Sequence, residues 1–131
     1  MKRLLLLITA FFTSQFIFAQ DKEIPEEIIY KDSVVDAQPE FPGGIDGLYK
    51  YFETNLVKPK VNSLVDKVVL SFIVEKDGSL SDIRIIHDAG FGTGDQAQRL
   101  LENGPKWQPA TKDGKKVRVH QQIPIAVVTE D

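Results

Sequence analysis

Two histidines, His87 and His120, and no cysteine stand among the 131 residues, so few side chains here could move a proton or hold a soft metal. Without a thiol there is no cysteine nucleophile. Each histidine falls in a stretch that reads as a strand, where a structural or surface role explains it better than catalysis. Gly90-Phe91-Gly92-Thr93-Gly94 has the look of a phosphate loop between a strand and a helix. It lacks the Lys-Ser/Thr ending of a P-loop and the βαβ setting of a dinucleotide fingerprint, so a flexible connection leading to a helix cap at Asp95 is the plainer reading. Asp77, Ser79, Ser81 and Asp82 offer oxygens of the kind calcium takes, yet their spacing is too short for an EF-hand and suits a tight hairpin. No catalytic residue, metal or cofactor is expected, and enzyme activity is the least supported reading.

The remaining chemistry is that of backbone and shape. Pro39-Glu40-Phe41-Pro42-Gly43-Gly44 combines two prolines that fix φ and straighten the residues before them with two glycines that open left-handed geometry. An amphipathic run follows at once: Ile45, Leu48, Tyr49, Phe52 and Leu56 form one apolar stripe, predicting a helix over Ile45 to Asn55 that Pro59 ends. Proline punctuation recurs at Pro105-Lys106-Trp107-Gln108-Pro109, where the one tryptophan reads as a plug over a small core rather than an exposed recognition aromatic.

Between these markers, Lys67 to Glu75 alternates, with Val68, Leu70, Phe72 and Val74 on one face; Lys76 to Ser79 supplies a turn, and Leu80 to His87 returns. Asp95, with Gln98 three residues on, predicts the second helix, and Gly104-Pro105 stops it. A last extended region carries Val117, Val119, Ile123, Ile125 and Val127 in alternate phase. Pro124 lies inside it and cannot donate to a ladder, so this strand belongs at a sheet edge or carries a bulge. An edge strand offers unpaired backbone groups.

The N-terminus sets the compartment. Lys2 and Arg3 precede an apolar core from Leu4 to Phe12 and a cleavage-like Ile17-Phe18-Ala19, the pattern of a secretory signal peptide over residues 1–19. The alternative, a retained anchor on the periplasmic side of an inner membrane, meets interruptions at Thr9, Thr13, Ser14 and Gln15. Residues 20–38 read as an acidic lead-in with one short strand near Glu27 to Lys31 or Ser33 to Val35, and 39–131 as one domain held by packing alone. Without Lys2 and Arg3 there are 14 basic against 19 acidic side chains, a formal charge of −5, which argues against nucleic acid as a partner. Asp21 to Glu40 holds seven carboxylates and two lysines, whereas Arg99 to His120 holds six basic residues and two acidic ones. That asymmetry fits a polar docking surface or merely solvated faces.

The order QPEFPGG, helix, KVVLSFIVEKDGSLSDIRII, helix, KWQP and a GKKVRV strand ending in IPIAV resembles the TonB C-terminal domain family, in its form with a Phe-Pro-Gly-Gly helix entry. The resemblance runs from about Pro39 to Val128. It implies an α+β fold in which a three-stranded antiparallel sheet packs two helices on one face. Pro39, Phe41, Pro42, Gly43, Gly44, Trp107 and Pro109 are then structural markers. It further implies binding of the TonB box of outer-membrane transporters, by strand addition at a free sheet edge, in energy-coupled transport. That edge would be the last strand, with Val117, Arg118, Val119, His120, Gln121, Gln122 and Ile123 as the binding residues. Family transducers carry an uncleaved anchor and a long proline-rich spacer, whereas the 18 residues Asp21 to Gln38 reach at most about 60 Å. Two readings follow: a transducer, linked through another protein to an inner-membrane proton-driven complex, or a free periplasmic peptide-binding module with no force transmission of its own. The same edge could pair with a second copy to give a homodimer.

Overall fold

The computed structural model describes residues 28–131; the signal-peptide reading of residues 1–19 and the start of the lead-in lie outside them. Six strands form, in chain order β1 (Tyr30–Lys31), β2 (Val65–Val74), β3 (Leu80–His87), β4 (Ala110–Lys112), β5 (Lys115–Val117) and β6 (Val119–Val128). Two α-helices, α1 (Gly44–Asn55) and α2 (Thr93–Glu102), complete an α+β fold. The alternating run at Val68 to Val74 places Val68, Leu70, Phe72 and Val74 in the core. β6 lies antiparallel to it in unbroken register from Val65↔Val128 to Val74↔Val119, so Val119, Ile123, Ile125 and Val127 join the same face. Leu48 and Phe52 of α1 and Ala97 and Leu101 of α2 close over that face.

The sheet has four strands, in the order β1-β6-β2-β3, rather than the three expected, and one pairing is parallel. β1 aligns Tyr30 with Val119 and Lys31 with His120 on the outer side of β6. A strand at Tyr30 is within the range the sequence allows; its place in the sheet follows from a side chain that needs burial. Tyr30 packs against the core, and two residues are enough to hold it there. The chain then leaves the sheet through a 3₁₀ turn at Asp32–Val34, on the site of the second strand alternative.

The proline-glycine entry builds the corner that aims α1. Gly43 and Gly44 take φ of 86° and 73°, and the Gly44 N–H donates to the Phe41 carbonyl at 2.7 Å. Phe41 is thereby turned inward, 5.4 Å from the Tyr51 ring and 5.7 Å from Trp107, which itself meets Phe72 edge-on at 5.3 Å. Trp107 is buried, as a plug. Its backbone N–H donates to Gly78 in the β2–β3 turn, so close that a Cβ on Gly78 would stand 1.9 Å from the Trp107 carbonyl oxygen. Glu40 and Gln108 exchange two backbone hydrogen bonds, which ties the two proline-flanked segments into one unit.

The start of α2 differs from expectation. Asp95 sits inside the first turn, and Gly92, at φ 79°, occupies the cap position. The capping work passes to Asp88, whose carboxylate accepts from the Gly90 and Gly94 N–H groups at 2.8 and 3.1 Å. Gln98, expected to reach back to the cap, donates instead to the Ile83 carbonyl and fastens the helix to β3.

Candidate functional site

The sheet order leaves two backbone rows without a strand neighbour among the described residues, the outer side of β3 and the outer side of β6 beyond β1; the second belongs to the strand that the sequence points to. The Tyr30 N–H donates to the Arg118 carbonyl at 3.0 Å, which fixes the parity of the strand. Even-numbered residues of β6 turn their N–H and C=O groups outward, and odd-numbered ones turn theirs to β2. β1 takes up the outward groups near Arg118 and His120, then departs. From Gln122 to Val128 no strand among the described residues covers the row. Pro124 falls on an outward position, opposite Val69, so the donor it lacks is one that β2 never needs. No register shift interrupts the β2–β6 pairing there.

The residues singled out from sequence divide along this strand. Val117 ends β5, buried and paired with Ala110. Arg118 is committed inward: its Nε and Nη2 meet the Glu75 carboxylate at 2.7 and 3.1 Å, and the Ser81 hydroxyl donates to the same group. The Arg118 guanidinium, helped by Ser81, holds the Glu75 carboxyl below its usual range against the opposing effect of burial. Val119 is buried, and His120 shares 3.0 Å with the Ser71 hydroxyl while its outward backbone faces β1. Gln121 donates from its side chain to Gln38, Gln122 begins the uncovered row, and Ile123 is buried in the core. Of the structural markers, Pro39, Phe41, Gly44 and Trp107 line a depression of about 300 Å³ together with Gln121 and Ile123.

The binding residues expected from sequence end at Ile123; the same strand runs on to Val128, where no described strand covers its outward row and a second depression, about 540 Å³, runs beside it. Tyr49 and Phe52 of α1, with Leu56 just past its end, form its apolar wall, Pro124 to Ala126 and Val128 its other side. Two signals for it are present in the sequence: Pro124 itself, and Tyr49, exposed on the apolar stripe of α1. Elsewhere His87 and Asp66 make a half-exposed contact at 2.9 Å, which lowers the Asp66 carboxyl. Among the described residues no group of His, Cys, Asp or Glu side chains is arranged to hold a metal ion. The calcium-like oxygens are spent locally: Asp77 accepts from the Ser79 N–H and hydroxyl, and Asp82 pairs with Arg84.

A small α+β domain with a strand edge that no described strand covers presents the kind of edge that strand addition uses. The family model for the C-terminal region of the Gram-negative bacterial TonB protein matches residues 60–126, just over half the chain, and the chain belongs to that family. No curated protein matches it. The matched span holds β2 through most of β6; β1 and α1 precede it. Membership makes this a TonB-like protein of envelope energy transduction, built on a non-enzymatic, transport-coupling domain of the Gram-negative periplasm. The family works with TonB-dependent outer-membrane receptors. No described helix is long and apolar enough to cross a membrane.

Proposed function

We propose that this protein binds the TonB box of outer-membrane transporters by strand addition to β6, in energy-coupled transport, and that the added strand occupies the row from Gln122 to Val128. The observation that carries the reading is the uncovered outward row of a strand fully paired on its other side. Such a row supplies main-chain hydrogen bonds without any side-chain requirement. Proline at Val119 or Gln121 would remove donors that bond β2, so it tests the fold as much as the binding. The cleaner test is Ala126→Pro, which mimics Pro124 at the next outward position. The variant should fold as the parent does by circular dichroism, yet bind transporter-derived box peptides at least about tenfold more weakly in calorimetry, the loss of roughly 1.4 kcal/mol or more for one hydrogen bond and a steric block. Unchanged affinity in a folded variant would overturn the reading.

The address belongs to the same proposal. Residues 1–19 act as a cleaved signal peptide and the segment after it as an acidic lead-in to the domain, which the pairing of Tyr30–Lys31 with β6 extends ahead of Pro39. N-terminal sequencing of the exported protein should return Gln20 as the first residue. A chain retained in the inner membrane and starting at Met1 would contradict cleavage.

A further inference from the structure

Ahead of the open row, two residues of the chain's own N-terminal stretch lie on β6 where an added strand would continue. We infer that β1 is a displaceable strap: it covers the outward backbone of Arg118 and His120, lifts while the rest of the domain stays folded, and competes there with an added strand. The competition rests on the strand-addition reading, whereas the lifting stands by itself.

Little holds the strap down. Ile28 and Ile29, just ahead of it, are 40% and 42% exposed, Lys31 is exposed, and no residue of the Asp32–Val34 turn is buried. Of the apolar side chains from Ile28 to Val34, Tyr30 alone packs against the core, and it is only half-buried. The pairing spans two residues, so few main-chain bonds add to that contact. Firm attachment begins just beyond. The Asp36 and Ala37 N–H groups both donate to the Thr111 carbonyl, at 2.8 and 3.2 Å, the Thr111 N–H donates back to the Ala37 carbonyl, and the Asp36 carboxylate accepts from the Asp113 N–H at 2.7 Å. Val35 packs against the core beside them. The chain from Val35 onward therefore has its own hold on the domain, and the Asp32–Val34 turn is the hinge.

Gln38 is the clasp. Its side-chain amide donates to the Asp32 carbonyl at the hinge and accepts from the Gln121 side chain on β6, so one residue of the anchored segment ties the base of the strap to the strand it covers. Both bonds are exposed to water, which competes for the same groups. Segments with few buried contacts and water-exposed hydrogen bonds open at a small part of the global unfolding cost. Because it is tethered, the strap returns at high effective concentration, so a partner must outcompete it rather than find it gone. A segment confined to Gln122–Val128 leaves the strap in place; one that runs on to Arg118 has to lift it. Without a partner, the same strap shields that part of the edge from other strands.

The test is amide hydrogen exchange, read by nuclear magnetic resonance on the whole mature chain. His120 turns its N–H to β1 and Gln121 turns its own to β2, so two adjacent amides report the strap and the sheet separately. His120 should exchange at least about tenfold faster than Gln121, at a rate that urea below the unfolding transition leaves unchanged, as local opening requires. Gln38→Ala should speed His120 by about threefold or more, with the Gln121 amide and the thermal melt unmoved; Tyr30→Ala, which removes the buried contact, should act in the same direction. Apparent affinity scales with the open fraction, so a transporter-derived box peptide long enough to run from Arg118 to Val128 should bind each variant more tightly by the factor its His120 amide shows. A box peptide confined to Gln122–Val128 should change by less than about twofold. If His120 exchanges at the rate and with the urea dependence of Gln121, the strap opens only with the domain and the inference is overturned, whatever any peptide does. If the strap lifts and the long peptide ignores both variants, the competition falls. Unchanged peptide affinity in Ala126→Pro would overturn strand addition alone, since the exchange rates do not depend on it.

Discussion

Glu75 and Arg118 show how a residue chosen as a contact turns out to be a brace. Their side chains are 24% and 20% exposed, joined by two charge-assisted hydrogen bonds, with Ser81 as a third partner. The pair locks the end of β2 to the residue that enters β6. Because Arg118 depresses the folded-state value of Glu75 below its usual 4.5, the pair contributes stability that is fully present above about pH 4.5 and drains away as pH falls through the lower, folded value. Arg118→Met should therefore destabilise the domain by about 1–3 kcal/mol at neutral pH, by analogy with other hydrogen bonds to charged groups. In urea denaturation at about pH 3 the gap between variant and parent should shrink, since the parent has by then lost the same contribution. A gap that stays constant with pH would show that the contribution of Arg118 does not run through the charge of Glu75. Asp77, held down to about 2 by the Ser79 hydroxyl and N–H and then by Lys106, titrates in both proteins, so the comparison isolates Glu75.

At the level of elements, what could be read in the sequence was whatever depended on local pattern. The hairpin of Lys67 to Glu75 with Leu80 to His87 and the helix ending at Asn55 appear where alternation and the 3.6-residue stripe put them. The cap of α2 was misplaced because Asp95 satisfies the local rule for a capping residue while Asp88, seven residues earlier, bonds the same helix end through a loop whose shape depends on Gly90 and Gly92. No sequence rule ranks a distant carboxylate above a near one. β1 was legible as a short apolar group and illegible as a sheet member, since two residues carry no periodicity and the partner lies about 90 positions away. The open edge was half legible. Pro124 identified the strand, but the stretch on which β1 sits could be known only from the pairing, and so the candidate residues were placed from Val117 to Ile123, where much of the row is already used.

For the molecule as a whole, the proposed strand addition in energy-coupled transport would require that a load taken on one strand be borne by the entire domain. A partner pulling along β6 would stress its ten-residue register with β2 lengthwise, so that all the pairs share the load. β2 is one of the two interior strands, with β6, and α2 packs on it. The core is one contiguous cluster reaching from Tyr30 and Phe41 through Phe52, Leu101 and Trp107 to Val127, with no disulfide to hold a fragment together if the rest opens. Trp107 stands at the junction: its ring touches Phe41 and Phe72, and its backbone holds the β2–β3 turn. One cluster without separable parts should unfold in one step. Tryptophan fluorescence and far-ultraviolet circular dichroism should give the same urea midpoint, with a slope near the 1–3 kcal/mol/M usual for small domains. A fluorescence transition completed about 0.5 M or more before the loss of circular dichroism would mean that the proline-flanked unit around Phe41 and Trp107 detaches from the sheet first, and the domain would then yield under load at that unit while β2 and β6 were still paired.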